Sequence, residues 1–455
     1  MIAVFPLVRL LSVVTSGPTS YPDTHTYRVK GSFLDLSLTS LDGRSIRPWG
    51  VTAWMALWPS DEVIVLAQAA LSIIAWVALA LTVAAGIQRA APRRILVLLL
   101  LLLACTAEVA NWDLTILGES VSISSGILAL AAFIRFTRAP AWRPGTVFLL
   151  AALWFSMTRP NLLLTLLAWA IAVLLIGVLL RRQVLLSGVV AGLLVVFSLY
   201  GYVYNVRSDT GWRDGFGFSR TVVAYAYPVS LNDPVAKAVI ADLKSSDAPR
   251  CMIPANPRVV SHHGTTAWVA RTVQSCPGMD AWATAHWHGW WSNWLLTHPR
   301  HALRILKTEL PASLSPPVWA NVYAATPTPV SSVFFGSTPL LQSAVSTRTY
   351  HSEPLLLWLA AAAVLALLGR GRWRASSWAC DVGLLASVAG TLATAVSSGL
   401  LIQTSSFEVG RESVGAAVVL TASCIALVGC GLDRLLGPPS VNVERQSGHA
   451  EHVQA

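Results

Sequence analysis

The sequence is poor in charged residues. Only 12% of its 455 residues are Asp, Glu, Lys or Arg, and 54% are hydrophobic, whereas soluble domains carry about 25% charged residues. Lysine is especially rare, so arginine supplies nearly all of the positive charge behind the formal net charge of +10. This composition excludes an ordinary soluble domain and predicts an all-α polytopic membrane protein. Excess Arg and Lys in such proteins belong to cytoplasmic loops, so we expect no nucleic-acid partner.

Several motifs of soluble enzymes are missing from the sequence as well. It has no Walker A loop, no dinucleotide-binding glycine fingerprint after a strand and no GxSxG elbow. These absences remove support for ATP-driven transport and for serine hydrolysis. There is also no HExxH motif and no pair of cysteines at zinc-site spacing, so no metal site is predicted among the histidines of the long polar loop.

Long apolar runs dominate what is present. Runs of about 17–25 residues span ~30 Å of hydrocarbon, and their recurrence predicts about ten transmembrane helices with one long extracytoplasmic loop that contains helices. Arginine clusters follow every second run, as the positive-inside rule requires. The first run, 1–14, is short and contains Arg9. It is either a helix that begins further upstream or a signal-like segment.

The alternation of arginine clusters predicts a multi-pass protein with both termini inside, unless the first segment is cleaved. The segments predicted to lie outside are 17–61, 109–121, 158–161, 205–352 and 404–413. The predicted parts are an N-terminal transmembrane module with outer catalytic loops (1–204), an extracytoplasmic loop domain (205–352), C-terminal transmembrane helices (353–432) and a disordered cytoplasmic tail (433–455). Cys251 and Cys276 lie in the loop domain, where an oxidising compartment would join them in a disulfide. Two free thiols are the alternative.

Asp23, in SYPDTHTYR, is an isolated carboxylate soon after the first run, with His25 and Arg28 close by. It is a candidate general base that deprotonates an acceptor hydroxyl, with neighbours that tune its pKa. The alternative is a solvated turn residue, because Pro-Asp-Thr is good turn chemistry.

Asp113 and Glu119 lie in the acidic bend NWDLTILGES, between two apolar runs. A carboxylate at a membrane edge is costly and usually functional. The two acids are candidates for orienting an acceptor or for holding a divalent cation through oxygen ligands. The alternative is helix capping, since acids favour helix N-termini. We favour capping for Asp113, whereas Glu119, directly ahead of a serine-rich helix start, is the better functional candidate.

Arg159 in TRPN and Arg411 in FEVGRES are cations at the predicted outer ends of spans. A guanidinium there suits a phosphate, which it can hold with two hydrogen bonds. The alternatives are snorkelling to lipid headgroups or pairing with Glu408 or Glu412.

Four tryptophans fall on one face of a predicted helix in the long loop, at positions i, i+3, i+4 and i+7: Trp287, Trp290, Trp291 and Trp294. Such a face either stacks on sugar rings or lies in the membrane interface. The sequence THP at 297–299 is predicted to end this helix and to start a basic one.

Together these motifs resemble the GT-C superfamily, the integral-membrane glycosyltransferases that use polyprenyl-phosphate sugars, with a mannosyltransferase-like arrangement. The similarity rests on five short motifs: SYPDTHTY in the first outer loop, LTILGESVSIS in the second, TRPN after a later helix, WLLTHPRHALRILKTEL in the long loop and FEVGRES near the last span. The chain differs in its short first helix and in lacking a second acid beside Asp23.

The resemblance implies a function for these residues. Asp23 would be the catalytic base, Glu119 an acceptor-site residue, and Arg159 and Arg411 partners of the lipid phosphate. The donor would be a polyprenyl-phosphate sugar, and the acceptor a glycan, lipid or protein of the cell envelope, at the extracytoplasmic face of the plasma membrane. No nucleotide is needed, and a divalent cation is optional.

Two other classes of function stay open. A transporter or lipid-linked-sugar flippase usually shows inverted repeats and charges near the membrane midplane, whereas here no repeat is visible and charges gather at the ends of runs. A non-catalytic scaffold of an envelope assembly predicts that Asp23, Glu119 and Arg411 are dispensable.

Overall fold

The computed structural model describes residues 2–16, 18, 24–27, 49–159, 162–179, 183–216, 233–252, 276–314, 375–401 and 406–436. Within these ranges the chain is helical and forms no β-sheet. The first helices are α1 (Val4–Ser16), α2 (Thr24–Tyr27), α3 (Trp49–Ala56), α4 (Asp61–Ala84), α5 (Ala90–Ala104), α6 (Ala107–Ala110), α7 (Gly118–Arg138) and α8 (Trp142–Ser156). The later ones are α9 (Leu163–Leu179), α10 (Val184–Phe216), α11 (Asp233–Ser245), α12 (Met279–Thr297), α13 (Pro299–Leu314), α14 (Ala375–Leu401) and α15 (Ser406–Leu435).

Five of the described helices contain a stretch that is long and apolar enough to cross a membrane. These stretches are Asp61–Ala84, Gly118–Arg138, Val184–Gly201, Asp381–Ser398 and Ser413–Leu435. Helix α9 is equally apolar but only 17 residues long. The protein is therefore a helical membrane protein. The predicted span at 354–368 and the tail beyond residue 436 lie outside the described residues.

Helix α15 lies at the centre of the bundle. All residues from 413 to 431 are buried, and the helix packs against α5, α7, α13 and α14. Helix α7 is also enclosed, by α4, α8 and α15. An aromatic cluster fills the space between α7, α8 and α9, where the rings of Phe133 and Phe148 are 5.1 Å apart and those of Phe133 and Trp169 are 5.3 Å apart.

One end of the bundle is joined by charged side chains at the turns. Asp433 accepts hydrogen bonds from the backbone N–H groups of Gln88 (3.1 Å) and Arg89 (3.0 Å). Arg138 donates to a backbone carbonyl near the end of α4, and Arg434 pairs with Asp381. The end of α4, the start of α5 and the ends of α7 and α15 therefore meet here, and they carry the arginine clusters.

The opposite end holds the other set of loops. The backbone N–H of Gly50, in α3, donates to the carbonyl of Met157 at 3.0 Å, and the Trp154 indole donates to the carbonyl of Gly50 at 3.2 Å. The Thr24 hydroxyl donates to the carbonyl of Ile116 at 3.0 Å. The bundle thus gathers at its two ends the two sets of loops that the arginine pattern assigns to opposite sides of a membrane.

The long loop contains a small helical cluster. Helix α10 continues to Phe216, twelve residues past the predicted end of its apolar run at 204. Cys251 and Cys276 form a disulfide with their Cα atoms 5.4 Å apart. Helix α12 ends at Thr297 and α13 begins at Pro299, which confirms the predicted break. Helix α13 packs against α11 and α12 and also against α14 and α15.

Candidate functional site

The acidic bend lies inside the bundle. Helix α5 has only 15 residues, or about 22 Å of rise, whereas the neighbouring α4 has 24 residues and about 36 Å. Helix α5 therefore ends before it reaches the level at which α4 starts. The chain continues as α6 and a short 3₁₀ helix, Asn111–Leu114. Every residue of that 3₁₀ helix is buried. The segment 109–121, which we predict to lie outside, therefore folds into the bundle at the 3₁₀ helix.

Asp113 forms a buried ion pair with Arg9 of α1. Its other carboxylate oxygen accepts a hydrogen bond from the Ser120 hydroxyl at 2.7 Å. Arg9 also donates to the carbonyl of Ala104 and to the hydroxyl of Ser72, both at 2.7 Å. These contacts tie α1, α4, the end of α5 and the start of α7 to one carboxylate.

These contacts correct the interpretation of Asp113. The residue that caps α7 is Leu117, which makes no side-chain capping bond, so Asp113 is not the cap that we favoured. Both of its carboxylate oxygens are engaged by the protein itself, and a role of Asp113 in substrate binding stays a prediction. Burial raises the pKa of Asp113, and the charge of Arg9 opposes that shift.

Sequence reasoning missed Arg9. It is the only charged residue in the apolar run 1–14, and it is 1% exposed. A charge inside an apolar segment needs a partner, so the need for a nearby acid was visible in the sequence. The partner was not, because several acids were available at the ends of other runs.

Glu119 and Arg159 form a second buried pair, with 2.8 Å between Oε1 and Nη2. Glu119 lies in the first turn of α7, and Arg159 follows the end of α8. Glu119 is fully buried and Arg159 is 5% exposed. Snorkelling to headgroups is therefore wrong for Arg159, because its guanidinium is held within the protein.

Two buried serines lie on the helices beside this pair. Ser122 is one turn along α7 from Glu119, and Ser413 is in the N-terminal part of α15. Neither hydroxyl has a hydrogen-bond partner among the described residues. Ser122 lies directly against the backbone of Gly415, where an added Cβ would be 2.5 Å from the Ser122 oxygen. The N-terminal parts of α7 and α15 therefore meet closely at hydroxyl groups that can still accept or donate a hydrogen bond.

The other predicted residues are only partly within the described structure. Asp23 and Arg28 lie outside the described residues, as do the side chains of His25, Glu408 and Arg411. The segment that follows Asp23 is described: Thr24 bonds to the carbonyl of Ile116, and the ring of buried Tyr27 lies against Gly118. Helix α2 thus packs on the turn that leads into Glu119.

The tryptophan face is a stacked cluster. Trp291 and Trp294 are 3% and 2% exposed, with ring centroids 5.1 Å apart and nearly parallel. Trp294 also stacks on His298 at 4.7 Å, and half-buried Trp290 stacks on Trp294. Protein therefore covers both rings, and contact of this face with a sugar or with headgroups stays a prediction. The side chain of Trp287 lies outside the described residues.

The residues described provide no group of three or more His, Cys, Asp or Glu side chains that could hold a metal ion. The two carboxylates of the bend, Asp113 and Glu119, each face an arginine. The sequence matches no protein-family model and no curated protein.

Proposed function

We propose that the protein is a membrane glycosyltransferase that moves a sugar from a polyprenyl-phosphate donor to an acceptor of the cell envelope. The observation that carries this proposal is the Glu119–Arg159 pair, buried at the end of the bundle beside the unpartnered hydroxyls of Ser122 and Ser413. In the proposal about ten helices span the plasma membrane, and this end of the bundle faces away from the cytoplasm.

The pair combines an acid with a cation that suits phosphate. A guanidinium binds phosphate through two hydrogen bonds, so a donor phosphate would compete with Glu119 for Arg159. Once Arg159 turns to the phosphate, Glu119 accepts a hydrogen bond from a hydroxyl of the acceptor. Arg411, on the first turns of α15, is the second proposed cation.

The reaction needs one base and one stabilised leaving group. Asp23 takes the proton of the acceptor hydroxyl, the acceptor oxygen attacks the anomeric carbon, and the bond from that carbon to the phosphate oxygen breaks. The polyprenyl phosphate leaves with the electron pair, and Arg159 and Arg411 stabilise its charge. Supporting the role of Asp23, the two residues Thr24 and Tyr27 that follow it pack on the start of α7.

Buried unpartnered hydroxyls favour a ligand that carries hydroxyl groups of its own. Leaving such a group unsatisfied costs about 1–3 kcal/mol, and a sugar hydroxyl removes that cost. Ser122 and Ser413 would thus bind the sugar of the donor or the acceptor.

The test is transfer of labelled sugar from a polyprenyl-phosphate donor in membranes that carry single variants. We expect Asp23→Asn and Glu119→Gln to lower turnover by about 10²–10⁴-fold. Glu62→Gln, an exposed acid at the start of α4, is the matched control and keeps full turnover. Unchanged turnover of Asp23→Asn at normal expression would remove Asp23 from the mechanism, and an inactive parent with every sugar donor would overturn the proposal.

One observation favours a second candidate, a transporter or flippase for lipid-linked sugars. Ser72, which contacts Arg9, lies about 16 Å along α4, near the middle of that helix. The Arg9–Asp113 pair is therefore deep in the bundle, as charges in transporters often are. Counterflow of a labelled lipid-linked sugar in proteoliposomes, without any transferred product, would favour this candidate over the transferase.

A further inference from the structure

Helix α13 carries an exposed cationic face. Arg300, Leu303, Arg304 and Lys307 recur at i, i+3, i+4 and i+7, and therefore share one side of the helix. All four are exposed, Leu303 to 64%. Ile305, on the opposite side, is 1% exposed. The exposed face thus holds three cations around one leucine.

The same helix runs into the apolar bundle. Leu314, near its end, is 3% exposed and belongs to the main core, and Leu310 packs against that core. Lys307 and Leu314 are only about 10 Å apart along the helix. Helix α13 packs on α14 and α15, both of which contain a membrane-spanning stretch. The change from exposed cations to a buried apolar end therefore takes place beside two membrane spans.

A second exposed leucine precedes α13 in the sequence. Leu296, in the last turn of α12, is 80% exposed. Its neighbour across the break at Pro299 is Arg300. Exposed leucines interleaved with arginine and lysine are typical of helices that lie in the headgroup layer, where the apolar side chains enter the acyl boundary and the cations bind phosphates.

We propose that the α13 face, formed by Arg300, Leu303, Arg304 and Lys307, docks on anionic phospholipid headgroups of the membrane that α14 and α15 enter. The assignment rests on charge complementarity and on the packing of α13 against two helices that contain membrane-spanning stretches. Three cations near an anionic surface each strengthen binding by roughly fivefold. The docking surface does not depend on the proposed transferase activity.

The first experiment measures the depth of Leu303. The Leu303→Cys variant is spin-labelled in nanodiscs of phosphatidylcholine with or without phosphatidylglycerol, and the accessibility of the label to oxygen and to a water-soluble nickel chelate is compared. Ser245→Cys, an exposed position on α11, is the matched control. The parent protein, labelled with its native cysteines alone, gives the background.

We expect the label at position 303 to be more accessible to oxygen than to the nickel chelate, and this difference to be larger in discs that contain phosphatidylglycerol. The label at position 245 should be more accessible to the nickel chelate in both kinds of disc. Equal, water-like accessibility at both positions would overturn the proposal and leave the face free for another partner, such as an acidic protein. The same depth in both lipids would overturn the part that assigns anionic headgroups.

The second experiment removes the charge. In the Leu303→Cys background, Arg300→Gln, Arg304→Gln and Lys307→Gln together should abolish the difference between the two lipids. Lys237→Gln with Lys244→Gln, two exposed cations on α11, is the matched control and should preserve it. A lipid difference that survives the triple change would show that these cations do not bind the headgroups.

Discussion

Arg9 and Asp113 form an ion pair across 104 residues of sequence, with side chains 1% and 2% exposed. Arg9 also reaches Ser72 and the end of α5. Helix α1, although only 13 residues long, is therefore held to the interior of the bundle by its single charge. The same contacts fix the bend from which α7 starts and so fix the position of Glu119.

The first prediction concerns this pair. Removal of one partner leaves a buried charge without compensation, which costs about 3–5 kcal/mol. Arg9→Met and Asp113→Leu should therefore each lower the temperature at which half of the detergent-solubilised protein is lost from the monodisperse peak. The double variant should recover much of the loss, because no charge is left unpaired. Arg93→Met, an exposed cation on α5, is the control and should leave the midpoint unchanged.

A double variant that loses as much as the two single variants together would contradict this account. It would mean that Arg9 and Asp113 contribute independently, through their bonds to Ser72 and Ser120, rather than as a pair.

The second prediction concerns the close approach of α9 and α14 at Gly390. A Cβ at this position would lie 2.6 Å from the Cβ of Ala168 and 2.9 Å from the backbone Cα of Thr165. Gly390→Ala must therefore push the two helices apart and weaken the bond between the hydroxyls of Thr165 and Thr394, which are 2.8 Å apart. Overpacking of this kind costs about 1–3 kcal/mol.

Gly192 provides the matched control for that measurement. It lies within α10, and a Cβ there would meet nothing within 4 Å. Gly192→Ala should raise the thermal midpoint slightly, since alanine favours a helix over glycine by about 1 kcal/mol. Loss of stability in both variants would contradict the assigned helix contact.

The sequence predicted the helices well because the determinants of a helix are local. The runs that became α4, α7, α9 and α15 were visible as apolar stretches, and arginines marked one end of most of them. The break at His298-Pro299 was equally local. Helix ends moved by several residues, as in α10, because an apolar run marks only the apolar part of a helix, and polar residues can continue it.

The sequence did not predict which charged residues pair or which side chains pack against a given face of a helix. Asp113 and Glu119 are six residues apart in the sequence, yet one contacts α1 and the other the end of α8. Periodicity placed four tryptophans on one face, but it did not reveal that Trp294 stacks on His298. A pattern fixes which residues share a side of a helix, and the tertiary structure decides what lies against that side.

The third prediction concerns the disulfide between Cys251 and Cys276, which are 25 residues apart. A crosslink that closes a loop of this size stabilises a fold by about 3 kcal/mol, and it persists only in an oxidising compartment. We expect Cys251 and Cys276, in protein from intact cells, to resist alkylation until the protein is reduced. The double variant Cys251→Ser, Cys276→Ser should lose this reduction-dependent alkylation. Alkylation of Cys251 and Cys276 in the parent without reductant would place the long loop in the cytoplasm.

The last prediction concerns pH and the aromatic cluster of α12 and α13. Burial, followed by the charges of Arg304 and His298, lowers the pKa of His301 below its ordinary value of 6.5. Its ring lies 5.8 Å from that of Trp294. The neutral form is therefore favoured in the folded protein, and its protonation costs more there than in the unfolded chain. The contribution of His301 to stability is therefore fully present above pH 6.5, and it is lost as the pH falls from 6.5 through the lower pKa of the folded protein.

This effect is separable from those of the other titrating groups by a comparison of two proteins at two pH values. His301→Asn removes the titrating ring but leaves His298 and its partner Asp242, 3.6 Å away, in place. Between about pH 7.5 and 5.5, on either side of the histidine range, the thermal midpoint of the parent should fall by more than that of the variant. An equal or smaller fall in the parent would show that protonation of His301 does not destabilise the cluster.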